Sequence, residues 1–186
     1  MGELPQGSKK VFEGVIFDVF QWDQKMYDGS TEVFEMLGRP DTAEVIVTKN
    51  NKILIQEQEQ PCKPKFYSLP GGRIEHGEDP LDGAKREVLE ETGYISNDWE
   101  LLMETNPSSK FLWTIYVYIA RGCEWKQKME LDVGEKIELE WVTFDELIDM
   151  VDARKLWNFD QELRVQLIRA KYDLPSKEAL KKKIFG

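Results

Sequence analysis

Runs of β-branched and aromatic residues, broken by short polar turns, fill the first third of the chain. Val11–Trp22 (VFEGVIFDVFQW) and Thr31–Leu37 (TEVFEML) read as strands. Asp28-Gly29 between them is a strong hairpin signal. Ala43–Lys49 (AEVIVTK) and Lys52–Gln58 (KILIQEQ) flank Asn50-Asn51, which predicts a second hairpin. Glu59–Lys65 holds two prolines and reads as a loop into the short run Phe66–Leu69. Further strands are predicted at Leu101–Thr105, Phe111–Ala120 and Lys136–Val142. Helices announce themselves by their ends. Asp79 suits an N-cap, Pro80 the first helical position and Gly93 the residue past the end. Thr143 and Glu146 form a capping box opening a helix through about Val151. Asn158–Gln161 opens a longer helix through Tyr172, and a basic terminal helix follows Pro175. Strands interspersed with helices predict an α/β fold, a mixed sheet covered by helices.

Composition narrows the class without changing this picture. At 186 residues, 41% hydrophobic and 32% charged, the chain suits one soluble globular domain. It has no apolar run of about 18 residues, so no membrane partner is expected. The N-terminus lacks the apolar core of a signal peptide. Two cysteines, Cys62 and Cys123, lie far apart without metal-ligand spacing, which points to a cytoplasmic setting and leaves a disulfide open as the alternative. A net charge of -10 argues against nucleic acid as a partner. An acidic protein acting on an anionic small molecule needs cations at the point of contact.

The acids concentrate in Leu69–Tyr94 (LPGGRIEHGEDPLDGAKREVLEETGY), which carries five glutamates and two aspartates. On a helix over 80–92, Leu81, Ala84, Val88 and Leu89 share one broad face, predicted to pack on the sheet. Glu87, Glu90 and Glu91 fall on the other side, and Glu87 and Glu91, four apart, repel each other. A row of helical acids usually means a solvated face. Two additions favour a site for hard divalent cations instead. Pro70-Gly71-Gly72 lets the backbone approach a ligand closely, and Arg86 flanks the acids on the side of that loop.

The spacing then becomes specific. Gly72, five residues, Glu78, seven residues, Arg86-Glu87, Val88, one residue, Glu90-Glu91, one residue, Gly93 resembles the Nudix box, G-x5-E-x7-R-E-U-x-E-E-x-G-U, with Tyr94 in the last bulky apolar position. The resemblance implies an α/β/α sandwich in which the box forms a loop–helix–loop, and hydrolysis of a nucleoside diphosphate linked to another moiety. It implies Glu87 and Glu91 as main metal ligands with Glu90 assisting, and the backbone carbonyl of Gly71 completing the set. Glu78 and Arg86 would tie loop to helix, and Gly72 and Gly93 would serve backbone geometry. The implied cofactor is Mg²⁺, with Mn²⁺ as the alternative.

The flanks are similar to the ADP-ribose pyrophosphatase branch, whose members place an antiparallel strand region before the core. That gives an expected division into residues 1–40, a dimerisation and substrate region, and 41–186, the hydrolase domain with its C-terminal helices. The expected assembly is a homodimer. Arg39, Phe20 and Trp22 are candidate substrate contacts, although aromatics in strands more often pack a core. Trp113, Trp141 and Trp157 are expected to pack the core. The branch takes its general base from an acidic loop before the last core strand, which makes Glu135 the candidate and Asp132 the reserve. The branch often carries an arginine near the position of Gln60, so the group that meets the terminal sugar or phosphate stays open here. ADP-ribose or a nucleotide sugar is the leading substrate. A nucleoside triphosphate pyrophosphohydrolase and a non-catalytic nucleotide sensor are the alternatives, separable by their products or by binding without turnover.

Overall fold

The computed structural model describes residues 4–157 and 159–186. In chain order the elements are β1 (Lys9–Glu13), β2 (Asp18–Lys25), β3 (Thr31–Gly38), β4 (Thr42–Lys49), β5 (Lys52–Glu59), β6 (Phe66–Ser68), α1 (Pro80–Thr92), β7 (Tyr94–Ile95), β8 (Asp98–Thr105), β9 (Phe111–Leu112), β10 (Ile115–Arg121), β11 (Glu124–Trp125), β12 (Lys136–Val142), α2 (Phe144–Asp152), α3 (Gln161–Tyr172) and α4 (Leu174–Phe185).

The central sheet has the order β12-β5-β4-β10-β8, with β6 also paired to β5. Only β4 and β10 run parallel, so the sheet is mixed. Alternation along its strands divides the apolar side chains between two layers. Val45, Val47, Leu54, Tyr118 and Ala120 face Ala84 and Val88 of α1. Ile46, Ile53, Ile55, Val117 and Ile119 face Leu147, Val151, Leu163, Leu167 and Ile184 of α2, α3 and α4. The result is the α/β/α sandwich with an N-terminal antiparallel strand extension.

Both hairpins form where the turn residues placed them. Asp28 Oδ1 accepts the backbone N–H of Ser30 at 2.9 Å in the β2–β3 turn, and Asn50 and Asn51 take left-handed φ values of 51° and 58° between β4 and β5. Two predicted runs are interrupted. Val11–Trp22 is not one strand: the chain turns at Gly14–Phe17, where the Gly14 N–H bonds the Phe17 carbonyl at 3.1 Å, and β1 and β2 pair antiparallel. Phe111–Ala120 also splits. β9 joins the extension sheet parallel to β3, whereas β10 lies in the central sheet. The two sheets are thereby joined at Trp113–Thr114.

β4 and β5 pair only next to their turn, at Thr48↔Ile53 and Lys49↔Lys52. Beyond it they splay, and the Pro70–Gly72 loop fills the gap. Ala43 N bonds Gly72 O at 2.9 Å and Val45 N bonds Pro70 O at 2.8 Å, so β4 stays satisfied through the loop backbone. Gly71 has φ 139°, and a Cβ there would collide with the Ala43 carbonyl. This is how the double glycine comes to lie against the sheet rather than in solvent.

The helix ends match the expected caps. Asp79 accepts from Leu81 N at 2.9 Å, and Gly93 closes α1 with φ 72°. Thr143 and Glu146 complete the capping box of α2. Asp160 caps α3, while Asn158 lies outside the described residues. α4 starts one residue before Pro175, capped by Asp173. The packing face of α1 differs from expectation. Gly83, Ala84 and Val88 are buried, Leu89 is only half-buried, and Glu91, placed by periodicity on the side away from the sheet, is buried. The C-terminal turn of α1 runs in under the glycine loop, so position 91 meets that loop instead of water.

Candidate active site

Arg86 organises the box. Its Nε and one terminal nitrogen each donate to Glu78 at 3.0 Å, a bidentate pair across the loop–helix junction. The same terminal nitrogen donates to the Arg73 carbonyl at 2.9 Å, and the other reaches Glu87 at 2.8 Å and Glu90 at 3.1 Å. Glu78 also accepts the Glu75 N–H at 2.8 Å, so one ion pair sets the course of the whole loop. Arg86 first, then that N–H, holds the Glu78 carboxyl below its usual range.

The acids behind this clamp are held at a cost. Glu91 is 8% exposed. Its Oε2 accepts the Gly71 N–H at 2.8 Å and the Gln56 amide at 2.9 Å. Burial outweighs these bonds and, with repulsion from Glu87 and Glu135, pushes the carboxyl up to about 8. Burial also raises Glu87, against the pull of Arg86. A Cβ at Gly72 would stand 2.5 Å from Glu87 Oε2, so any side chain there would displace the Glu87 carboxylate. Gly93 serves a second purpose beyond its φ. A Cβ there would collide with the Gln127 carbonyl, and its own carbonyl accepts the Lys126 N–H at 2.8 Å. The acidic loop after β11 thus packs on the end of α1, where Glu130 N bonds Glu90 O at 2.8 Å. That loop carries Asp132 and Glu135 to the cleft, and burial followed by Asp132 raises the Glu135 carboxyl.

Glu87, Glu90, Glu91, Gly71, Gly72, Arg86, Asp132 and Glu135 all line one cleft of about 1290 Å³, and so does Arg39. Glu78 and Gly93 brace its walls from behind. Phe20 and Trp22 stand elsewhere: both lie on β2 in the extension sheet, where the Trp22 indole donates to Gln24 and its ring tilts against Phe34. Trp113 packs against the core as expected and also lines the cleft.

Several residues at or just behind the cleft wall carry contacts that the sequence did not reveal. Gln56, Gln58 and Gln60 form an amide row along β5 and its end: Gln58 donates to Gln56 at 2.7 Å and to Ser68 at 2.8 Å, and Gln56 donates to Glu91. The period-2 glutamines of QEQEQ were the available signal. Glu44, on β4, accepts the Asp160 N–H at 3.0 Å, and burial pushes its carboxyl up to about 8. Its signal was one acid within an otherwise apolar central strand.

Among the described residues no three acidic, histidine or cysteine side chains stand close enough to enclose an ion as they are. The donor chemistry nevertheless suits a hard divalent cation: a buried and a half-buried carboxylate that repel each other, beside a glycine loop with a backbone carbonyl.

The comparisons agree with this geometry. The NUDIX domain family profile matches residues 38–165. The methanol dehydrogenase activator of Bacillus methanolicus is 30% identical over 180 residues, covering 95% of this chain and 94% of that one. The ADP-ribose pyrophosphatase of Bacillus subtilis (strain 168) is 26% identical over 174 residues, covering 91% and 94%. A solved structure of an ADP compounds hydrolase superposes with a TM-score of 0.68 at 18% identity, covering 88% of this chain and 90% of its own, and shows the shared fold. A loop–helix box whose carboxylates line a cleft in an α/β/α sandwich defines a pyrophosphohydrolase. The chain belongs to the Nudix hydrolase family.

Proposed function

We propose that the chain hydrolyses the diphosphate bridge of a nucleoside diphosphate derivative, ADP-ribose or a nucleotide sugar, in a reaction that needs Mg²⁺, with Mn²⁺ able to substitute. The observation that carries this reading is the pair of carboxyls, buried Glu91 and half-buried Glu87, held against the glycine loop at one cleft. Its volume of about 1290 Å³ exceeds the 300–1,000 Å³ or so of common small-molecule pockets, as a dinucleotide-sized substrate requires.

Glu87, Glu91, Glu90 and the Gly71 carbonyl would hold the cations, which neutralise the diphosphate and make a bound water nucleophilic. The chain's own groups do the rest. Arg86 and Glu78 fix the helix against the loop. Gln56 aims Glu91. Glu135 takes the proton of the attacking water, its carboxyl already raised by burial. The water oxygen bonds to phosphorus, the bridging P–O bond breaks, and the bridging oxygen leaves on the second phosphate. Two phosphomonoesters result.

The extension supports a homodimer. Val11, Phe12, Val15, Ile16 and Val33 are exposed apolar side chains within it, Val15 at 99%. Cys62 and Cys123 are both free, which suits a cytoplasmic location.

The test is incubation with Mg²⁺ and, separately, ADP-ribose, nucleotide sugars, dinucleoside polyphosphates and nucleoside triphosphates, with products resolved by chromatography. AMP plus ribose phosphate supports the proposal. Monophosphate plus pyrophosphate from triphosphates alone would move the enzyme to nucleotide sanitation. Tight binding without any turnover would make it a sensor.

A further inference from the structure

Four arginines line the cleft: Arg39, Arg73, Arg86 and Arg164. Three are engaged. Arg73 pairs with Glu75 at 2.7 Å, Arg86 with Glu78, Glu87 and Glu90, and Arg164 donates to the carbonyls of Val151 and Leu156. Arg39 differs. Among the described residues no carboxylate or carbonyl accepts from its guanidinium, and its Nε is buried without a partner.

Its surroundings fix it in place without neutralising it. The guanidinium lies 4.3 Å from the centre of the Trp113 ring and 5.9 Å from that of Phe17. Trp113 is held in turn, its indole N–H donating to Thr42 Oγ1 at 3.1 Å. The Arg39 backbone N–H bonds the Leu112 carbonyl at 3.1 Å, and Pro40 restricts Arg39 to an extended backbone. A planar fork of N–H donors is therefore preorganised at a cleft wall, with one donor withdrawn from water and unanswered. In a chain of net charge -10, every other arginine at the cleft already has an acceptor.

We propose that Arg39, stacked on Trp113, is the anion-recognition residue of the cleft, taking a phosphate or carboxylate oxygen of the substrate that the α1 carboxylates and their cations do not hold. The inference rests on the hydrolase reading for its substrate but not for its binding chemistry. Two sources offer that oxygen: the diphosphate itself, or a further anionic group on the terminal moiety.

The first arm of the test needs no turnover. Metal-free wild type in chelator is titrated with inorganic pyrophosphate and followed by thermal unfolding and calorimetry. Pyrophosphate binding is expected for wild type and for Glu91→Gln, with at least a tenfold loss in Arg39→Gln. Equal binding by Arg39→Gln and wild type overturns the proposal. Should Arg39→Gln fail to fold, Arg39→Lys carries this arm: replacing the fork by a point charge weakens binding about fivefold or more, and unchanged affinity overturns it. The second arm compares KM and kcat for ADP-ribose against ADP-ribose 1″-phosphate, and UDP-glucose against UDP-glucuronate, each second member carrying an added anion on its terminal moiety. A rise in KM for Arg39→Gln that is equal within each pair assigns the diphosphate as the source. A rise confined to the charged member assigns the terminal anion. Equal loss of kcat in Arg39→Gln and Arg39→Lys at unchanged KM marks Arg39 as a structural strut and overturns the proposal. Absence of turnover in wild type alongside intact pyrophosphate binding would sink the hydrolase reading and leave Arg39 standing.

Discussion

Glu91 and Gly71 are hydrogen-bonded across twenty residues of chain, with the Gly71 N–H donating to Glu91 Oε2 at 2.8 Å. Gln56 donates to the same oxygen, and among the described residues Oε1 accepts from nothing. The glycine loop therefore holds the acid by one oxygen and leaves the other for a ligand. Glu91→Gln turns that acceptor into an amide of the same shape. Turnover should fall at least about 100-fold, more than the loss typical of a supporting residue, while the circular dichroism spectrum stays unchanged.

Gln56 is buried and its contribution is to aim Glu91. Gln56→Leu should lower kcat/KM by about 10–100-fold, the range for partners that orient a ligand. Steady-state kinetics over a metal titration checks this, because the apparent metal affinity should weaken as well.

The Arg86–Glu78 pair predicts a loss of stability alongside any loss of activity. Both side chains are less than a third exposed and the pair is bidentate. Glu78→Gln should cost about 1–2 kcal/mol, after discounting for solvent screening. That lowers Tm by roughly 2–8 °C for a chain of this size, measurable by calorimetry. Gly71→Ala should be more damaging, at about 2–4 kcal/mol, since it adds a left-handed φ penalty to a collision with the Ala43 carbonyl.

Glu44 and Glu91 predict an unusual stability profile. Each carboxyl is pushed up to about 8 in the fold, against an ordinary value of 4.5. Between those values the folded chain keeps a proton that the unfolded chain has lost. The contribution of these two groups to the stability of the metal-free protein should therefore be fullest below about 4.5 and fall as pH rises towards 8. The slope approaches about 1.4 kcal/mol per pH unit for each group. Thermal unfolding in chelator across that window checks the sign. Glu91→Gln and Glu44→Gln should each flatten part of the slope, and added Mg²⁺ should flatten the Glu91 part by favouring the ionised form.

Much of this site could be read before the fold was seen, for a physical reason. Caps, turns and the box are local, set by residues that alone suit a given φ or a given orphan N–H. Asp79, Gly93, Asn50 and Asn51 behaved accordingly. The burial of Glu91 was not legible because helical periodicity places side chains around an axis and cannot show that a loop will cover the last turn. Val11–Trp22 broke at a turn within one sheet and Phe111–Ala120 where the chain passes from one sheet to another, since β-propensity records fitness for a pleated surface and not where a strand turns or which sheet supplies its partner. Glu44 and the glutamine row were hidden for a related reason. Their role comes from long-range neighbours, Asp160 for Glu44 and Glu91 for Gln56.

The most direct measurement is anomalous diffraction from crystals soaked in Mn²⁺ and a nonhydrolysable methylene analogue of ADP-ribose. The account predicts Mn²⁺ peaks among Glu87, Glu91 and the Gly71 carbonyl, in contact with the analogue's phosphonate oxygens, with Glu87 released from Arg86. An analogue bound with no manganese at these groups, and with Arg86 still paired to Glu87 and Glu90, would contradict it.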